Sequence, residues 1–83
     1  MKEIVILGLH ITDRVNEVGL VQDVLTKFGC VIKTRLGLHD VDEAYSGSDG
    51  IILLELTGDA EEFVKLENAL RKINGLKVQK MSF

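Results

Sequence analysis

Ile51-Ile52-Leu53-Leu54-Glu55-Leu56, followed at a short distance by Asp59, is the stretch on which the fold turns. The run is too short and too rich in isoleucine to favour a helix. A nearly unbroken apolar run is expected of a strand covered on both faces. The same succession stands 46 residues earlier: Val5-Ile6-Leu7 lands on Ile51-Ile52-Leu53, and Asp13 lands on Asp59. Under that shift Val18 falls on Val64, Leu20 on Leu66, Val24 on Leu70, Gly29 on Gly75 and Ile32 on Val78. The matches sit at the strand, the helix start and the helix stop, so the chain reads as two similar halves.

Each half has a local mechanism. Ile4 to Ile11 and Ile51 to Leu56 are the first and third strands. Asp13 and Asp59 stand where a carboxylate accepts hydrogen bonds from the free amides of a helix start. Glu61 and Glu62 suit the positive end of the second helix. Val18, Val21, Leu25 and Phe28 in one half, and Phe63, Leu66, Leu70 and Ile73 in the other, recur at helical steps that turn one stripe to a core. Gly29 and Asn74-Gly75 supply left-handed stops. Cys30 to Leu38 and Leu76 to about Met81 read as the second and fourth strands, and their polar residues mark them as edges. His39 to Gly50 is an acidic, glycine- and serine-containing connection without apolar period, read as an extended hairpin tip. The order βαββαβ predicts a single α+β domain over residues 1–83. It is a ferredoxin-like sandwich, with a four-stranded antiparallel sheet and two helices on one face.

Length and charge narrow the function. The 83 residues at 9.2 kDa make one small domain. Ten Lys and Arg against thirteen Asp and Glu leave a net charge of −3, the wrong sign for a general nucleic-acid binder. No apolar run approaches the length of a membrane span, and Met1-Lys2-Glu3-Ile4 does not open a signal peptide. One cysteine forms no internal disulfide, which points to a reducing cytoplasm. Cys30 itself reads as a buried small hydrophobe.

Two helices cover one face of such a sheet, yet both faces of the central strands are apolar. Ile4 and Ile6 oppose Val5, Leu7, Leu9 and Ile11, while Ile52 and Leu54 oppose Ile51 and Leu53. A helix-free face lined with isoleucine and leucine is a patch that soluble monomers rarely carry. A second copy of the chain is the expected cover, giving a homo-oligomer, dimer or tetramer.

Site candidates cluster in three places. Asp13, Arg14 and Asn16 present both signs of charge and an amide, a grip for a zwitterion such as an amino acid. Gly19 lies early in a helix, where glycine costs up to about 1 kcal/mol against alanine. The plainer reading makes Asp13 a cap, Arg14 a solvated charge and Gly19 an allowance for helix–sheet contact. Arg35 beside Gly37 offers a second anion grip, or else an edge arginine paired with an acidic residue. His10 and His39 are the candidate metal ligands, with Asp40, Asp42, Glu43 and Cys30 as weaker ones; no pair has the spacing of a familiar metal motif. Against that, the two histidines are a strand residue and a turn residue. Ser46 and Ser48 have no nucleophile–histidine context, and Gly47-Ser48-Asp49-Gly50 leads into a strand rather than a phosphate-binding helix start. These patterns argue against an enzyme and name no cofactor.

Asp13-Arg14, Gly19-Leu20, Val24-Leu25 and Phe28-Gly29 together resemble the first half of ACT domains. The resemblance implies a small effector, such as an amino acid, bound between subunits. A narrower resemblance runs through Asp13-Arg14, Ile32-Lys33-Thr34-Arg35-Leu36-Gly37-Leu38, Gly50-Ile51-Ile52 and Gly75-Leu76-Lys77-Val78. It is to the family of iron-only hydrogenase system regulators, whose fold is similar to the C-terminal domain of the nickel-responsive transcription regulator. That likeness implies a regulatory pathway role with a hydrogenase-pathway protein as possible partner. Only His39 lies near a nickel-ligand position of that regulator, and its DNA-binding domain has no counterpart here. The expectation is therefore an oligomeric small-ligand sensor acting without direct DNA contact, with a protein-docking or metal-binding module as the alternative.

Overall fold

The computed structural model describes residues 3–12, 14–38 and 50–83, with backbone alone at 14 and 15. Its elements run β1 (Val5–Ile11), α1 (Arg14–Lys27), a 3-10 turn (Gly29–Val31), β2 (Ile32–Leu38), β3 (Gly50–Leu56), α2 (Ala60–Arg71) and β4 (Lys77–Ser82). The sheet order is β2-β3-β1-β4 with every neighbouring pair antiparallel, so this is the ferredoxin-like α+β fold. The two most apolar segments take the centre and the polar ones the edges, as strand composition requires.

The core forms between the helices and one sheet face. Val5, Leu7, Leu9 and Ile11 alternate inward from β1, and Ile52, Leu54 and Leu56 from β3. They meet Val21 and Leu25 of α1 and Phe63, Leu66 and Leu70 of α2, with Ile73, Leu76 and Val78 closing the far side. Val18 and Phe28 pack against this cluster without full burial. Both helical stripes thus face where their spacing directs them.

The two halves brace each other at the helix ends. The Thr57 amide donates to the Val31 carbonyl at 2.7 Å, tying the start of α2 to the end of α1. Reciprocally, the Thr12 hydroxyl lies 2.9 Å from the Gly75 carbonyl oxygen, tying the start of α1 to the end of α2.

Three local expectations are corrected. Gly29 does not adopt a left-handed conformation; α1 instead tightens into the 3-10 turn, and β2 begins at Ile32 rather than Cys30. That turn swings Cys30 outward, so it is exposed rather than buried. Asp59 occupies the N-cap of α2, but its side chain makes no capping bond; its carbonyl oxygen accepts from Glu62 at 3.0 Å and Phe63 at 3.3 Å. Gly75 does take the left-handed form, at φ 85°, and so does Gly58, at φ 106°. Of the hairpin tip expected at His39 to Gly50, residues 39–49 lie outside the described residues and Gly50 opens β3.

Candidate functional site

The helix-free face of the sheet is built by strand alternation. In an antiparallel pair the residues directly opposite one another share a face. Ile6, Gly8 and His10 of β1 therefore lie with Glu55, Leu53 and Ile51 of β3. Thr34, Leu36 and Leu38 of β2 extend the face on one side, and Met81, Gln79 and Lys77 of β4 extend it on the other. Ile4, Leu36, Leu38, Ile51 and Met81 are each between 42% and 51% exposed, and Phe83 is 74% exposed. Among the described residues, six of the eight large exposed hydrophobic residues are thus gathered on one side of one sheet.

Glu55 and Lys77 interrupt this surface with charge. The Glu55 carboxylate accepts a hydrogen bond from the Thr34 hydroxyl at 3.0 Å and stands 3.8 Å from the Lys33 ammonium. Lys33 sits in the bulge where β2 shifts register between Ile32 and Thr34. His10 lies on the same face, opposite Ile51 on one side and Lys77 on the other. Among the described residues no three His, Cys, Asp or Glu side chains converge as a metal site would require. His39 and Asp13 lie outside the described residues.

The turn between β1 and α1 is organised by a residue that spacing did not single out. Glu17 is buried, with 3% of its surface exposed, although it carries a carboxylate. Its two oxygens take the Thr12 amide and the Thr12 hydroxyl, each at 3.0 Å. The single hydroxyl proton serves either Glu17 or the Gly75 carbonyl at one time. A side chain at position 75 would run into the Glu17 carboxylate, so the left-handed glycine is required by space as well as by φ. Thr12 and Glu17 stand five positions apart, close to a capping-box arrangement displaced by one position at either end.

The remaining predicted residues are spread out. Arg14 begins α1, and Asn16 and Gly19 are exposed on its first turns. No atom lies within 4 Å of a Cβ built on Gly19, so no helix–sheet contact demands glycine there. Arg35 and Gly37 occupy the opposite face of β2 from Thr34 and Leu36, at the edge strand beside α1. The Arg35 guanidinium donates to the Gln22 side-chain oxygen at 3.2 Å, a neutral amide where an acidic partner was expected. A shallow groove of about 830 Å³ runs between the end of α1 and α2, with Lys27, Cys30, Lys65 and Lys72 on its walls. Among the described residues, Asn16, Gly19, Arg35, Gly37 and His10 do not form one cluster.

No protein-family model and no curated protein sequence matches the chain. Solved structures do. An uncharacterized protein of Thermotoga maritima, TM1266, is 25% identical over 99% of both chains, with a TM-score of 0.81. The designed protein Foldit4 is 15% identical with a TM-score of 0.57, over 99% of this chain and 97% of that one. A formyltetrahydrofolate deformylase from Pseudomonas putida KT2440 is 14% identical with a TM-score of 0.55; the match takes in 94% of this chain and 28% of the enzyme. The last two likenesses concern the fold alone. With TM1266 the likeness extends end to end, and the conclusion the comparisons carry is a ferredoxin-like domain shared with that Thermotoga protein.

Proposed function

We propose that the chain is a non-enzymatic, oligomeric regulatory module that senses a small ligand in the cytoplasm, and that the pathway it regulates is an iron-only hydrogenase system. The observation that carries the reading is the helix-free face, where six large hydrophobic residues stand between 42% and 74% exposed. Burying apolar surface is worth roughly 25 cal/mol per Å² before association costs, so such a face favours assembly. The hydrogenase pathway rests on the sequence resemblance through Ile32 to Leu38 and Gly75 to Val78.

The sensing element in this reading is the first part of α1, where Asn16 and Gly19 are exposed, together with Arg14 and Asp13 that precede them in the sequence. Gly19 has open space where a side chain would be, which leaves the backbone approachable. A ligand bound there between subunits shifts their packing by its different affinity for two arrangements. Thermal unfolding in the presence of amino acids, nucleotides and divalent metal ions tests this. A true ligand at 100 times its dissociation constant adds about 2.7 kcal/mol to stability. The Gly19→Ala variant, which meets no steric obstacle, is expected to fold and to lose most of that gain. No shift with any compound class removes support for sensing.

The same exposed face also fits a second reading, docking of a hydrogenase-pathway protein. Sedimentation at micromolar concentration separates the two: a dimer or tetramer mass supports self-assembly, and a monomer mass favours docking.

A further inference from the structure

The pattern of the helix-free face contains more than its apolar content. Strand register lays it out as a grid. One row runs Thr34, Glu55, Ile6 and Met81 from the β2 edge to the β4 edge. The next is Leu36, Leu53, Gly8 and Gln79, and the one after it Leu38, Ile51, His10 and Lys77. Ile4 and Phe83 lie beyond Ile6 and Met81, joined by backbone hydrogen bonds of 3.3 and 2.8 Å. With strands about 4.8 Å apart and a rise of about 3.4 Å per residue, the grid spans roughly 19 by 24 Å, or about 450 Å². The whole grid is the size of the largest patch on a typical monomer, about 300–600 Å², which often serves a function.

The grid is divided along its diagonals. Thr34 and Glu55 make an acidic polar corner on the β2 side, and Lys77 with His10 and Gln79 makes a basic polar corner on the β4 side. The other two corners are apolar: Leu36, Leu38, Ile51 and Leu53 at one, and Ile4, Ile6, Met81 and Phe83 at the other. Among the described residues Lys77 has no ion-pair partner. Glu55 accepts a hydrogen bond from the Thr34 hydroxyl at 3.0 Å, and its ion pair with exposed Lys33 is long, at 3.8 Å.

We infer that this face closes on the same face of a second copy, about a two-fold axis running along the apolar diagonal, so that Glu55 of each copy meets Lys77 of the other. The inference rests on the oligomeric reading above and adds its geometry. A two-fold dimer must match the patch to itself. For sheets packed face to face the axis lies between them and parallel to both. An axis along the strands, or across them, sets an apolar corner of one copy on a polar corner of the other. An axis along the polar diagonal stacks Glu55 on Glu55 and Lys77 on Lys77. The apolar diagonal alone keeps apolar corners together and brings opposite charges into register, twice by symmetry. Strands of the two sheets then cross near right angles, one of the two arrangements that packed sheets adopt.

Charge exchange tests the axis. Glu55→Lys and Lys77→Glu, measured singly by sedimentation equilibrium, are each expected to weaken the homodimer by about tenfold or more, since each sets like charges against each other. Mixing the two single variants is expected to restore association, because the heterodimer pairs Lys at 55 with Glu at 77 in one contact and the native pair in the other. The double variant is likewise expected to dimerise within about threefold of the parent. Should Glu55→Lys fail to fold, Glu55→Gln combined with Lys77→Gln carries the same test: coupled losses support the pairing and additive losses overturn it. A parent dimer that ignores the exchanges, or variants that mixing does not rescue, overturns the axis and leaves the oligomer standing. A parent that sediments as a monomer overturns both.

Discussion

Glu17 and Gly75 stand 58 positions apart, yet neither is separable from the other. The carboxylate is buried against the turn that the left-handed glycine makes, and Thr12 bonds to both. Gly75→Ala combines a φ of 85° that an alanine resists with a Cβ driven into the carboxylate. A loss of about 1–2 kcal/mol or more is expected from the backbone term alone. Glu17→Ala strands the Thr12 amide, at a cost of about 1–3 kcal/mol. The two changes are not additive: with the carboxylate removed, Gly75→Ala meets only the backbone term, so the double variant is more stable than the summed losses imply. Urea unfolding of the four proteins checks this, and strict additivity would contradict the packing of Glu17 against Gly75. Gly75 was legible because an Asn-Gly pair after a helical stripe commonly makes a left-handed stop. Glu17 was not legible, because its burial depends on a turn that lies far along the chain and on no local period.

At the level of elements, helix stripes and strand parity carried the reading. Phe63, Leu66 and Leu70 all lie in the core, as their three- and four-residue steps require, while Val64 in the same helix is 51% exposed. Leu66→Ala is therefore expected to cost about 2–5 kcal/mol and Val64→Ala well under 1 kcal/mol, by thermal or chemical unfolding. Equal losses would mean that the helix is rotated from this placement. The strand order also followed from composition, since only β1 and β3 are apolar enough for the centre. Misreadings cluster at the end of α1. Gly29 could serve a left-handed stop or a 3-10 turn, and residue type alone does not choose between them. The choice moves the start of β2 and turns Cys30 from inside to outside. Arg35 shows the same limit: its edge position was legible, but its Gln22 partner belongs to a helix whose placement only the packed structure supplies.

For the whole molecule, stability and assembly are linked. A face this apolar, closed by a second copy, makes the folded state depend on protein concentration. The unfolding midpoint is expected to rise as concentration increases through the dissociation constant, and Leu53→Asp, at the centre of the face, is expected to abolish that rise. A midpoint independent of concentration for the parent protein would argue against the assembly. The existence of this face was legible from strand parity alone. Its diagonal division was not, because it needs the pairing of β2 with β3 and of β4 with β1, and no single strand contains it.

The position of β4 has a consequence for the chain as it is made. β1 is central, yet one of its two neighbours is the last strand, Lys77–Ser82. Until a ribosome has produced Lys77–Ser82, β1 has one side without backbone partners. It is then open to pairing with the wrong neighbour. Correct closure must wait for β4 to emerge, and polypeptides cut short before Lys77 would be released with that sticky border uncovered.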